Sequence, residues 1–288
     1  MDTLAAETAP QLSRRRATGM VSARSLLLTI LGEFVLPRRL PVWTATFTDA
    51  LLALGVEDKA ARQALARTAA DGLLASEKVG RRTRRRLSPE GTRLLEEGAA
   101  RIYGFARERQ HWDGQWLVLA VTVPESQRQL RHRLRTRLTW AGMGSPAPGL
   151  WVVPDTRRLP EISGIVHDLG IEGHALAWVG SAADIGTPRD VVGAAWSLGE
   201  VAEDYRRFVA EFADRRAVGE KESFVAQVSL LQAWRKFPFL DPQLPAELLE
   251  EDWPGTRARA VYDRCHQEWH EAAQAYWAGL VVAAEQRS

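Results

Sequence analysis

The stretch from Thr44 to Leu87 limits the fold more than any other part of the chain. It reads TATFTDALLALGVEDKAARQALARTAADGLLASEKVGRRTRRRL. The order is helix, tight turn, helix, basic hairpin. In the first helix Phe47, Leu51, Leu52 and Leu54 have the spacing of one apolar face. Gly55 closes it, Val56 is an inward turn residue, and Glu57 and Asp58 place negative charge at the positive start of the next helix. There Ala61, Leu65, Thr68 and Ala69 turn inward and Gly72 ends the helix. Lys59, Arg62, Gln63 and Ala66 fall on the opposite side, with Arg67 beside them. Arg can fork onto guanine and Gln onto adenine, while Ala permits close approach to a groove. Leu73 to Lys78 and Thr83 to Ser88 then read as strands around Val79-Gly80-Arg81-Arg82. Lys78, Arg81, Arg82, Arg84, Arg85 and Arg86 are basic, six of nine residues, which suits phosphates or a minor groove. The unit is expected to be a winged helix-turn-helix on duplex DNA. A winged helix used for protein contacts, with a solvated hairpin, is the alternative. Agreement between helix face and hairpin favours DNA.

Charge follows the same division. Residues 1–110 carry 19 Lys and Arg against 12 Asp and Glu, residues 111–194 carry 8 against 8, and residues 195–288 carry 11 against 16. The first third is therefore the part drawn to polyanions. No apolar run is long enough to cross a bilayer, and the first residues lack the apolar core of a signal peptide. Cys265 stands alone, so a disulfide framework is excluded and a reducing cytoplasm is expected.

In chain order, residues 1–21 are expected to form a flexible tail, in which Arg14-Arg15-Arg16 is more readily a solvated run than a phosphate contact. Ser22 is the N-cap of a first helix whose core face is Leu26, Leu27, Ile30 and Leu31, closing near Gly32. Ser88-Pro89-Glu90 opens another helix with Leu94, Leu95, Ile102 and Phe105 on its apolar side. The period then changes. Trp116 to Val123 is a strand ending at Pro124, and residues 125–141 a helix with Leu130, Leu134, Leu138 and Ala141 inside. Arg128, Arg131, Arg133, Arg135 and Arg137 cover its other side, as a solvated face rather than a second phosphate surface. Gly142 to Gly149 reads as a loop, Leu150 to Val153 as a strand, residues 160–170 as a helix and Ala175 to Val179 as a strand. That order suits a ferredoxin-like βαββαβ-type domain. From Trp196 the chain is mostly helical. Phe237 to Pro245 is too rich in proline for regular helix, Trp253-Pro254-Gly255 is a turn, and a last helix runs from about Thr256 to Glu285. The fold class is α+β. The expected divisions are 22–108, winged helix; 110–185, ferredoxin-like; and 195–288, helical.

These segments together resemble the PaaX family of transcriptional repressors of phenylacetate catabolism. The resemblance rests on SARSLLLTILGEF, on GVEDKAARQALARTAADGLL with the basic hairpin before LSPEG, on WDGQWLVLAVTVPE followed by LRHRLRTRLTWAGMGSPAPGLWVVP, and on AWRKFPFLDPQLPAELLEEDWPG. It implies a winged helix, a domain like the small CRISPR-associated nuclease subunits, and a helical C-terminal domain for effector binding and dimerisation. It implies a homodimer that leaves its operator DNA on binding an aryl-acyl-CoA such as phenylacetyl-CoA. It places Lys59, Arg62, Gln63 and Arg67 on the recognition helix, and Arg81 and Arg82 at the wing tip, with Arg84 adjoining. The related nucleases hold a divalent metal with an acidic residue near the end of the first strand. Here that segment reads Val121-Thr122-Val123-Pro124-Glu125, and Thr122 is no substitute for a carboxylate. Asp113 precedes the strand. A metal-dependent nuclease is therefore the lesser alternative, and neither a catalytic site nor a cofactor is expected.

Two further groups carry possible chemistry. His266 and His270 are spaced i,i+4 beside Cys265 and Glu271, a spacing that can bind metal but lacks an evident third ligand, so a surface pair is preferred and no metal site is assigned. Trp234, Trp253, Trp269 and Trp277 cluster in the C-terminal third and could line an aromatic acyl pocket, but filling a helical core is the expectation. In the pocket case Arg235, Lys236 and Arg257 are the candidates for CoA phosphates.

Overall fold

The computed structural model describes residues 22–106, 109, 111–183 and 185–287. The expected tail of residues 1–21, with Arg14-Arg15-Arg16, lies outside them. The chain divides into two compact units. One runs to Thr92 and also takes in Gly279 onward; the other is Arg93–Ala278.

The first unit begins with α1, Ala23–Ile30, whose N-cap Ser22 accepts a hydrogen bond from the Ser25 amide. Gly32 does not close the helix as expected. The chain continues as a π-turn over Leu31–Val35, because Leu31, Phe34 and Val35 are all buried and that burial outweighs the roughly 1 kcal/mol cost of one helical glycine. A two-residue strand, β1 (Val42–Trp43), leads into α2 (Thr44–Ala53) and α3 (Asp58–Ala70). The core face of α2 is Phe47, Ala50 and Leu51. Leu52, expected on that face, is 62% exposed, since it lies about 100° around the helix from Leu51. The turn places Gly55 at φ +79°, as a tight helix-to-helix connection requires.

The hairpin is β2 (Leu74–Val79) and β3 (Arg82–Leu87). Pairing runs from Leu74↔Leu87 to Val79↔Arg82. The expected four-residue loop is thus a two-residue turn, Gly80-Arg81, with Gly80 at φ +60°. Strand β1 pairs with β3 on its other side, Trp43 opposite Arg84 and Val42 opposite Arg85, giving the sheet order β1-β3-β2. α4 (Pro89–Gly104) follows directly. Ser88 caps it, accepting from the Gly91 amide at 2.9 Å and donating to the Gly72 carbonyl at 2.5 Å.

The second unit contains the antiparallel sheet β5-β6-β4-β7. Its elements are β4 (Trp116–Val121), α5 (Arg128–Trp140), β5 (Gly144–Ala147), β6 (Leu150–Val153), α6 (Leu159–Asp168) and β7 (Ala175–Gly180). The expected loop after α5 contains β5. Its Pro146 is tolerated because β5 is an edge strand. One sheet face, through Leu117, Leu119, Val121, Trp151 and Val153, packs under Leu134, Leu138, Ile162 and Val166. The other face, through Trp116 and Val152, joins the core of the C-terminal helices. Those are α7 (Pro188–Ala195), α8 (Leu198–Phe212), α9 (Glu220–Trp234), the short α10 (Phe237–Leu240) and α11 (Pro254–Gln286). The expected irregular link after Trp234 includes the four-residue α10, with Pro238 in its first turn where proline is compatible. The expected turn Trp253-Pro254-Gly255 already opens α11, again with proline first. Trp253 and Tyr205 crowd the first turn of α11. A side chain at Gly255 would come within 2.5 Å of the Trp253 indole nitrogen.

Candidate nucleic-acid interface

The sequence of α3 separates it into two faces. Ala61, Ala64, Leu65 and Thr68 are buried; Ala64 joins the inward residues expected, and Ala69 is only half-buried. The Thr68 hydroxyl is satisfied inside by the Ala64 carbonyl at 2.8 Å. Lys59, Arg62, Gln63, Ala66 and Arg67 are all exposed. One exposed side chain is not free to swing: Arg62 Nε donates to Asp58 Oδ2 at 2.6 Å. That hydrogen bond, reinforced by the carboxylate charge, raises the Arg62 pKa above its ordinary value. The bond occupies Nε, which leaves the two terminal nitrogens as a fork for an acceptor pair.

The hairpin arginines do not behave alike. Arg81, in the turn, is exposed, as are Lys78 and Arg86. Arg82 and Arg84 are half-buried, with their guanidinium carbons 3.8 and 4.3 Å from the ring centroid of Trp43. Arg82 also donates to the carbonyls of Ala284, through Nη2, and Glu285, at 3.5 Å through Nη1. Arg85 donates to Thr44 Oγ1 at 3.4 Å and to Ser76 Oγ at 2.5 Å. Two of the three hairpin residues expected at DNA, Arg82 and Arg84, are therefore turned onto an aromatic ring. The physical reason is register: Trp43 is paired opposite Arg84 and carries both cations on its face. Arg86 lies past the end of the two-residue β1 and escapes it. Sequence reasoning counted Lys78 and Arg86 among the hairpin cations but singled out Arg81, Arg82 and Arg84 for DNA. The missed signal was Trp43, an aromatic residue just after Pro41.

The residues expected at an effector pocket differ in their surroundings. Trp234 is fully buried, stacked on Tyr262 at 4.6 Å and packed with Phe105, Phe208 and Phe237, and its indole donates to the Ile102 carbonyl at 3.3 Å. Trp253 is buried against Tyr205. Both lie in the core of the C-terminal helices. Lys236 is paired with Asp204 at 3.0 Å. Burial lowers the pKa of the half-buried Arg235. Arg257 is exposed. His266 lies beside His270 at 5.5 Å between ring centroids and stacks on Tyr262.

The proline-rich segment has a buried polar anchor. Asp241 accepts from Tyr205 Oη at 2.8 Å, from Arg109 Nη2 at 2.9 Å and from the Gln243 amide at 2.7 Å, and Arg109 also donates to the Leu244 carbonyl at 2.6 Å. Burial, then the Asp241 charge, pushes the Tyr205 hydroxyl far above its ordinary pKa. This anchor holds Gln243 at φ 56°, a conformation unfavourable for a side chain with a Cβ.

Family models match three successive stretches. They are the PaaX-like protein over residues 22–91, the PaaX protein central Cas2-like domain over 109–192, and the PaaX-like protein C-terminal domain over 196–279. The chain belongs to the PaaX family. Transcriptional repressor PaaX of Escherichia coli (strain K12) is 28% identical over 267 residues, covering 89% of this chain and 83% of the relative. The fold is also similar to that of an uncharacterised protein, Rv0674, from Mycobacterium tuberculosis. There the TM-score is 0.64 at 24% identity, over 88% of this chain and 98% of the other. The PaaX-like match over 22–91 contains α3 and the whole hairpin.

Proposed function

We propose that this PaaX family member is a sequence-specific, DNA-binding transcriptional repressor, a regulator rather than an enzyme. The observation that carries the reading is the exposed Lys59-Arg62-Gln63-Arg67 stripe of α3 beside a hairpin that exposes Lys78, Arg81 and Arg86. The first unit acts as a winged helix-turn-helix: α3 enters the major groove and the hairpin meets the flanking backbone. The second unit's βαββαβ order is that of a ferredoxin-like domain. Thr122 follows its first strand and donates its amide to the His174 carbonyl at 3.0 Å, where a metal-dependent nuclease would need a carboxylate.

The repressor works as a homodimer that sets two α3 helices about one DNA turn apart. The outer edge strand β7 supports a self-association surface, with Leu176, Trp178 and Val179 exposed by 73%, 49% and 48%. An aryl-acyl-CoA such as phenylacetyl-CoA favours a dimer geometry with the wrong spacing and so releases the operator. Arg257, exposed at the start of α11, is the candidate for a CoA phosphate.

Mobility-shift titration on DNA flanking the protein's own gene, with and without phenylacetyl-CoA, tests this. Retarded DNA that is released by the CoA ester is expected. Arg62→Ala should weaken specific binding by roughly ten- to a hundredfold while leaving random duplex nearly unchanged. Equal losses on both DNAs would remove base reading by Arg62, and steady cleavage of the DNA with Mg²⁺ would overturn the repressor reading.

A further inference from the structure

Arg82 has the sequence position of a phosphate contact and the surroundings of a structural clasp. Its guanidinium lies on Trp43 and donates to two carbonyls in the last turn of α11. The final carbonyls of any helix have no partner within the helix and carry the negative end of its dipole. A planar fork of N–H donors is suited to two such carbonyls at once. The same helix end is held a second time, since Arg287 pairs with Asp49 of α2 at 2.8 Å, and Ala284 is fully buried. Arg81, the residue before it, is exposed at the turn.

The structure assigns Arg82 as a positioning residue for DNA binding: it fastens the turn end of the hairpin to the end of α11, and so presents Arg81, instead of contacting DNA itself. The assignment rests on the DNA-binding reading for its functional consequence, but the clasp exists without DNA. Its elements come from the two ends of the chain, so the last residues of α11 are part of the DNA-binding head.

Two measurements on the full chain test it. Hydrogen exchange without DNA compares wild type, Arg82→Lys and Arg81→Ala. Lysine keeps the charge but cannot fork onto two carbonyls or stack as a plane. Arg82→Lys should speed exchange in the β2–β3 turn and in the last turn of α11 together, and Arg81→Ala in neither. Faster exchange at the hairpin alone, or no change, overturns the clasp. Fluorescence anisotropy with operator duplex over a range of salt then reads the consequence. Arg82→Lys should bind roughly two- to thirtyfold more weakly, with an unaltered dependence of log Kd on log salt. Arg81→Ala should lower that slope by about one. An Arg82→Lys protein that binds like wild type would show Arg82 to be a simple phosphate charge. If wild type itself fails to bind the duplex, the DNA-binding reading falls, while the exchange result still decides the clasp.

Discussion

Asp58 is the residue whose role is least evident from charge alone. A carboxylate beside a phosphate backbone opposes binding, yet this one holds Arg62 by a 2.6 Å bond to Nε. The bond restricts the guanidinium to an orientation that offers its terminal nitrogens. Asp58→Asn should therefore act in opposite directions on two duplexes. Affinity for random DNA should rise with the lost negative charge, whereas discrimination at the base pair read by Arg62 should fall, as binding to single-base operator variants would show. A uniform gain on every duplex would mean that Asp58 contributes only repulsion. At this scale the helix face of the site was legible, because a 3.6-residue period separates Arg62 and Gln63 from Leu65 without further information. The hairpin was not. Six cations in nine positions look equivalent in sequence, and only the pairing of Trp43 with Arg84 distinguishes the two stacked on its ring from the exposed Arg81 and Arg86.

Among the elements, arginine repeatedly serves as a helix C-cap. Arg259 Nη1 donates to the Phe105 carbonyl at 2.6 Å beyond the end of α4 while its other nitrogens grip Asp263. Arg158 donates to the Ala141 carbonyl at 2.9 Å at the end of α5, and Arg264 to that of Ala213 after α8. Arg82 does the same for α11. Such caps join segments distant in sequence, which is why periodicity could not foresee them. Local signals did well where one element decides its own ends: Ser22 and Ser88 cap as expected, and Gly55 and Gly72 close their helices. They failed where packing decided, as at Gly32 and β5. The junction from hairpin to α4 is the tightest of these joints. A Cβ at Gly91 would lie 2.1 Å from the Leu73 carbonyl oxygen, so Gly91→Ala should destabilise the protein by about 1–3 kcal/mol through overpacking. Thermal unfolding followed by circular dichroism would measure it. An unchanged midpoint would show that α4 moves away at little cost.

For the whole molecule, the sequence charge map gains a physical meaning. Residues 1–110 hold the excess of 19 cations over 12 anions, and residues 195–288 the excess of 16 anions over 11 cations. A protein so divided should bind random duplex chiefly through counterion release. If the five cations of one head other than the base-reading Arg62 (Lys59, Arg67, Lys78, Arg81 and Arg86) meet phosphates, raising salt from about 50 to 200 mM should weaken the binding of that head by roughly five-hundredfold. Anisotropy titrations would show it, and a nearly flat salt dependence would deny the exposed cations their part. The three stretches matched by family models were each visible in outline, whereas the return of Gly279 onward to the first unit was not. Nothing in the composition of AGLVVAAEQRS announces it; the contact exists because Arg82 and Asp49 meet its carbonyls and Arg287. A fragment ending at Thr92 keeps α3 and both strands of the hairpin, yet lacks the helix turn that the hairpin grips. The smallest faithful DNA-binding piece is thus discontinuous in the gene, and a fusion that joins residues 22–92 directly to the last helical turn should hold its loop in place better than the longer-looking N-terminal half alone.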